Sequence, residues 1–267
     1  MIRVTLFALI VFSGLCNGQQ NLNYQVLNLD TIFNENKGTF VLYNLNNNNY
    51  RIYNYDRAQE EFAVHSTSKI VWSIIALEEN LVKDEQDVIR WDSIKYPKQI
   101  GWPEGWAEDQ TVVSALNKSV NWYYIELMKR MTPGMVEKYL NLLDYQKGFK
   151  VEKVHYFGLT FNIRKSVLEQ IDFLKRLYKN DLNISETTLK TIKRGLLFQK
   201  SDNYTMYAKK GLGPIHNGNA IGWLIGYIEK GGEVYFFALN VENEDELKAA
   251  DLRVNISMRI FKALNII

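Results

Sequence analysis

Ser66-Thr67-Ser68-Lys69-Ile70-Val71-Trp72-Ser73-Ile74-Ile75-Ala76-Leu77 is where the chain changes period. Before it, residues 38–44 (GTFVLYN) and 50–56 (YRIYNYD) are rich in aromatic and β-branched side chains. The Asn-rich segment Leu45–Asn49 separates them, which predicts a hairpin. From Ser66 onward Ile70, Val71, Ile74, Ile75 and Leu77 recur at helical spacing up to the charged Glu78-Glu79. Ser66 and Lys69 stand three residues apart, on one face of a helical turn, so the amine is expected within reach of the hydroxyl. A serine hydroxyl is a poor nucleophile until its proton is taken, and a lysine whose pKa is depressed by burial can take it. A helix N-terminus adds backbone N–H groups and a positive dipole end where negative charge develops. Standing alone, Ser-x-x-Lys reads more simply as an N-cap serine ahead of a surface lysine.

Beyond Leu77 a Trp-bearing loop (Trp91, Trp102, Trp106) leads to a helix predicted over about Thr111–Arg130. Further helices are predicted at roughly 134–143, 166–179 and 186–197. Strand signals return at 204–210, 220–229 (AIGWLIGYIE) and 233–241 (EVYFFALNV). The last segment, about Glu244–Leu264, carries Leu247, Leu252, Ile256, Ile260 and Leu264 at helical spacing. Strands at both ends with helices between them do not alternate as a parallel α/β fold would. They predict an α+β architecture: a central antiparallel sheet built from both termini, flanked by helices, with a helical insertion.

The 267 residues, 46% hydrophobic and 13% aromatic, suffice for one substantial core. With 32 Lys+Arg against 30 Asp+Glu the formal charge is +2, which argues against a nucleic-acid partner. The single cysteine, Cys16, excludes a disulfide framework and a Cys-based zinc site. His65, His155 and His216 lack ligand spacing, so no metal is expected. Arg3, the apolar run Val4–Phe12 and the small and polar residues Ser13–Gly18 form the pattern of a secretory signal peptide. Cleavage after Gly18 would leave residues 19–267 as one exported domain, periplasmic or secreted. A lipid anchor at Cys16 is the lesser alternative, because the bulky Leu15 precedes it.

Three fragments change the reading of the Ser66–Lys69 tetrad. Ser119-Val120-Asn121 falls on the helix expected from Thr111, and Lys209-Lys210-Gly211 ends the strand 204–210, its glycine letting a substrate approach backbone. Gly222-Trp223 and Gly226-Tyr227 lie in the next strand. Ser-x-x-Lys, Ser-x-Asn and Lys-x-Gly in that order form the signature set of active-site serine enzymes acting on penicillins and cell-wall peptides. From about Tyr50 to the C-terminus the chain resembles class D (oxacillinase-type) β-lactamases and the extracellular sensor domains of β-lactam sensor-transducer proteins. The resemblance covers Ser66–Glu78, Trp106–Met131, Glu169–Leu174, Lys209–Gly213, Gly222–Glu229 and the region of Arg253. It implies β-lactams as the small-molecule partners and Ser66 as the nucleophile that opens the ring. Lys69 would be its base, which normally carries CO2 as a carbamate in class D enzymes, and Ser119 would relay a proton to the leaving nitrogen. Lys209 would support this network, Arg253 would pair with the substrate carboxylate, and the backbone N–H groups of Ser66 and Leu212 would form the oxyanion hole.

Four departures from the class D pattern matter. Asn121 puts an amide beside the lysine where an apolar side chain is usual, and Tyr145-Gln146-Lys147 replaces Tyr-Gly-Asn. Lys210 replaces a carboxylate-binding hydroxyl, either as a second cation beside Arg253 or as an exposed strand-end lysine. Alignment back from Glu169-Gln170 sets Gly158 where the family has a tryptophan that hydrogen-bonds the carbamate. A lysine carbamate needs a neutral amine in a dry pocket, and both Asn121 and the missing indole N–H weaken it. Lys69 is therefore expected as a free amine, able to assist acylation but not the water attack that frees the enzyme, and no other cofactor is expected. His65 reads as a loop histidine. Two functions follow: first, a class D-like β-lactamase with slow deacylation; second, a non-hydrolytic penicillin-binding or sensor-like protein with a persistent acyl adduct. A transpeptidase role ranks after both.

Overall fold

The computed structural model describes residues 24–267, so the expected signal segment and Cys16 lie outside the described residues. Nine strands are described: β1 (Tyr24–Val26), β2 (Gly38–Asn44), β3 (Asn49–Tyr53), β4 (Phe62–Ala63), β5 (Arg164–Lys165), β6 (Leu197–Lys200), β7 (Thr205–Pro214), β8 (Ala220–Lys230) and β9 (Glu233–Asn243). The helices are α1 (Asp30–Phe33), α2 (Tyr55–Gln59), α3 (Lys69–Glu78), α4 (Val112–Lys118), α5 (Asn121–Met128), α6 (Pro133–Leu142), α7 (Tyr156–Asn162), α8 (Val167–Lys179), α9 (Glu186–Gly195) and α10 (Glu246–Ala263). Seven strands form one sheet in the order β1-β3-β2-β9-β8-β7-β6, while β4 and β5 pair separately. Every neighbour in the large sheet is antiparallel except β1, which runs parallel to β3. The sheet thus joins strands from both ends of the described chain, and the α+β architecture is as expected.

Each central strand feeds two cores because successive side chains point to opposite faces. Val41 and Tyr43 of β2, Trp223 and Ile225 of β8, and Phe236 and Ala238 of β9 pack toward the helical layer that includes α3, α5 and α8. Their neighbours Phe40, Leu42, Leu224, Phe237 and Leu239 pack toward Ile256, Ile260 and Phe261 of α10. Burial on both faces explains why β8 and β9 read as nearly continuous apolar runs. Among the described residues no helix is long and apolar enough to cross a membrane.

Several boundaries differ from expectation, among them that of the strand expected at 204–210, which runs on to Pro214 and puts Lys209-Lys210-Gly211 inside β7 rather than at its end. The helix predicted over Thr111–Arg130 is two helices. Ser119 closes α4 in the left-handed conformation (φ 62°), Val120 is extended, and α5 restarts at Asn121. The second hairpin strand stops at Tyr53, because Asn54 turns left-handed (φ 57°) and its side chain accepts the Arg57 N–H to cap α2. Finally, α3 starts at Lys69, and His65–Ser68 form a 3-10 turn ahead of it.

Candidate active site

The Ser66 turn is held on every side. Val64 N–H donates to Ile163 O at 3.1 Å, and Trp223 Nε1 donates to Ala63 O at 3.0 Å, tying the entering chain to α7 and β8. Thr67 Oγ1 donates to Val64 O (2.7 Å), Ser68 Oγ to His65 O (2.6 Å), and Trp72 Nε1 to Ser68 Oγ (3.0 Å). The fully buried Gln170 of α8 donates to Thr67 Oγ1 at 3.2 Å. His65 sits at φ 45°, a left-handed value that is costly for a residue with a Cβ and persists only where surroundings enforce it. Ser66 alone in this turn stays partly accessible.

The turn packs directly on β7, and two glycines permit it. A Cβ on Gly211 would stand 3.0 Å from Thr67 Cγ2 and 3.2 Å from Val64 O, and one on Gly213 would fall 2.4 Å from the His65 ring. Ala208 N–H donates outward to Leu196 O beside β6, and every second residue of an antiparallel strand faces the same way. The N–H groups of Lys210 and Leu212 therefore point outward beyond the end of β6, where β7 becomes an open edge beside Ser66. That edge can offer the Leu212 N–H to a developing oxyanion.

Lys69 is fully buried at the start of α3. Its Nζ lies 2.6 Å from Ser119 O, 3.1 Å from Ser119 Oγ and 2.7 Å from Asn121 Oδ1. The break between α4 and α5 makes this possible, since the left-handed Ser119 turns both its carbonyl and its hydroxyl to the amine. Burial, and then the nearby charge of Lys209, hold the amine well below the usual lysine value. Among the described residues no hydrogen bond joins Lys69 to Ser66. The Ser66 side chain instead comes beside the Tyr156 hydroxyl, which donates to Asn121 Oδ1 at 3.1 Å.

Tyr156 is the site residue that motif reading missed. Gly158, aligned with the family's tryptophan, is an ordinary residue of α7 whose N–H donates to the N-cap His155 Nδ1. The buried side chain two positions earlier fills the space beside the lysine, its ring centroid 5.5 Å from Lys69 Nζ. A phenol two residues out of register carries no motif that could have announced it.

The remaining cations gather on β7 and α10. Lys209 is buried on the face of the helical layer, held low first by burial and then by Lys210 and Arg253. Strand alternation sends Lys210 to the other face, where Nζ lies 5.9 Å from the Phe198 ring. Burial and then Arg253 lower it as well. Arg253 reaches from α10 to donate to Gly211 O and to Ala250 O, and burial draws it down to about 10. Among the described residues none of Lys69, Lys209, Lys210 and Arg253 forms an ion pair with a carboxylate. Arg253 thus reaches the backbone of β7 beside Lys210, and the two cations are close enough for the charge of one to act on the other.

His65, expected in a loop, is buried in the turn, where burial lowers it to about 4 against a bond to the Pro214 carbonyl. It stacks edge-on with Phe161 and makes no pair with Ser66. Among the described residues no three His, Cys, Asp or Glu side chains come together as metal ligands.

The family description "Penicillin binding protein transpeptidase domain" matches residues 31–265. The chain is 29% identical over 250 residues to the methicillin resistance mecR1 protein of Staphylococcus aureus (strain Mu50 / ATCC 700699). That match covers 93% of this chain and spans 42% of the length of that relative. The fold superposes on a class D beta-lactamase from Sebaldella termitidis ATCC 33386 with TM-score 0.82 and 32% identity, over 92% of this chain and 99% of the other. It superposes equally on the C-terminal domain of the Bacillus licheniformis BlaR penicillin-receptor, with TM-score 0.82 and 27% identity, over 94% of this chain and 100% of that domain.

Proposed function

The chain belongs to the penicillin binding protein transpeptidase-domain family, among class D β-lactamases and penicillin-receptor domains. From that premise we propose that it is an exported serine β-lactamase of class D type that opens the ring through a Ser66 acyl-enzyme and releases it slowly. Ser66 Oγ attacks the lactam carbonyl carbon, and the oxyanion takes hydrogen bonds from the Ser66 and Leu212 N–H groups. The Ser66 proton reaches the Lys69 lone pair by way of Ser119 Oγ, the hydroxyl that faces it. Collapse of the tetrahedral centre breaks the C–N bond, and Ser119 hands a proton from Lys69 to the leaving nitrogen. Arg253 and Lys210 bind the substrate carboxylate.

The observation that carries this reading is the hydrogen bonding of Lys69 Nζ. A neutral amine has two N–H groups and one lone pair. Ser119 O and Asn121 Oδ1 only accept, so they take both protons and turn the lone pair toward Ser119 Oγ, the one neighbour able to donate. That arrangement suits a base working through Ser119. It does not suit a CO2 carbamate, whose anionic oxygens would meet the Asn121 carbonyl oxygen with no indole donor in reach, so Lys69 acts as a free amine. With no carbamate beside the ester, the attacking water lacks a base and deacylation is slow.

The same Asn121 contact favours a second reading, a penicillin-binding protein whose adduct persists. A chromogenic cephalosporin tests the proposal: a burst equal to the protein concentration, followed by slow steady turnover, is expected. A burst with no turnover supports the second reading, and the absence of a burst sinks both.

A further inference from the structure

Two donors converge on one oxygen of Asn121: Lys69 Nζ at 2.7 Å and the Tyr156 hydroxyl at 3.1 Å. An amide can turn about its terminal bond and present either Oδ1 or Nδ2. If the Asn121 amide turned, Nδ2 would face both the amine and the phenol. The phenol's proton would then lose this acceptor inside a pocket where Tyr156 is 5% exposed, and the hydroxyl left beside it is that of Ser66, the group that has to attack. The Tyr156 ring is buried beside Tyr124, with centroids 6.5 Å and planes 27° apart, and the Tyr124 hydroxyl lies 2.7 Å from Ser73 Oγ. We propose that Tyr156 is a positioning residue that locks Asn121 with its oxygen toward Lys69, and so keeps the amine from taking up CO2 and prolongs the life of the acyl adduct.

This inference deepens the reading given above and rests on its free-amine lysine. The role cannot be that of a general base, because burial holds the phenol well above its ordinary value, so it acts through Asn121. The other groups facing Lys69 do not do this work. Ser119 is fixed by its own backbone turn, Tyr124 offers only its ring at 5.3 Å, and Lys209 contributes charge but no bond to the amide.

The test is a double-mutant cycle of Tyr156→Phe and Asn121→Val with two readouts. The first is the 13C carbamate resonance of the unliganded protein in labelled bicarbonate, which requires no reaction with a β-lactam. The second is the lifetime of the penicillin adduct by intact mass. Tyr156→Phe is expected to give a carbamate resonance that the parent lacks. It should also shorten the adduct lifetime in bicarbonate about three- to tenfold, the change expected from one hydrogen bond. In the Asn121→Val background the same substitution should change neither readout. Equal spectra and lifetimes for parent and Tyr156→Phe, or equal effects in both backgrounds, would overturn the inference. A loss of carbamate in Tyr156→Phe would overturn it too, by showing that the phenol supports CO2. If the parent forms no adduct the acylation proposal fails, while the carbamate spectra still decide the role of Tyr156. One-to-one adduct formation by each variant reports that its site is folded.

Discussion

Lys69 suits the role of base proposed for it because its charge is disfavoured where it sits. Burial is the larger cause and the Lys209 charge the second, and both favour the neutral amine. Acylation is therefore expected to rise with pH through a value well below the ordinary 10.5, as the amine loses its proton. Lys209→Met removes the second cause, so the rising limb should move to higher pH in stopped-flow acylation. A limb that stays in place would show that another group titrates. At this scale most of the site was legible, since Ser66, Lys69, Ser119, Asn121 and Lys209 announce themselves by spacing and type. Tyr156 was not, because its role comes from where α7 docks rather than from a motif. Nor was the switch of Lys69 from Ser66 to Ser119 and Asn121, which depends on the left-handed turn at Ser119.

Between elements, the decisive contact is the Ser66 turn lying on β7. Gly213→Ala would put a methyl group 2.4 Å from the His65 ring, which is buried and already in a left-handed conformation. The ring must move and take the turn with it, at an overpacking cost of about 1–3 kcal/mol. A lower midpoint of thermal unfolding and slower acylation are both expected; a variant with the parent's acylation rate would show that the turn does not depend on this contact. The long elements were readable because their patterns have a period, as in α10, or are apolar on both faces, as in β8. The short ones were not: β1, α1 and α2 have 3, 4 and 5 residues, too few to display a period. The division of the helix expected over Thr111–Arg130 was hidden because Ser119 takes a conformation usually reserved for glycine or asparagine.

Across the whole molecule the net charge of +2 conceals an uneven distribution. Among the described residues Lys210 and Arg253 stand together without a carboxylate ion-pair partner, while most close cation–carboxylate pairs lie on the surface. Encounter with an anionic β-lactam should accordingly slow as salt is added. Lys210→Thr is expected to flatten that salt dependence and weaken apparent binding about three- to tenfold, by removing one of two charge-assisted bonds. Acylation kinetics from low to high ionic strength check this, and an unchanged slope would assign Lys210 to the strand surface alone. The overall architecture was legible from the order of strand and helix signals, but the pairing of these cations required β7 and α10 to be brought together. For the proposed serine that acylates readily and deacylates slowly, intact-mass spectrometry with peptide mapping is the most direct test. Mixed with excess penicillin, the protein should gain the mass of one whole penicillin on the peptide bearing Ser66. That adduct should decay slowly as hydrolysed penicillin accumulates, and Ser66→Ala should gain nothing. An adduct on another residue, or hydrolysis that proceeds unchanged in Ser66→Ala, would contradict it.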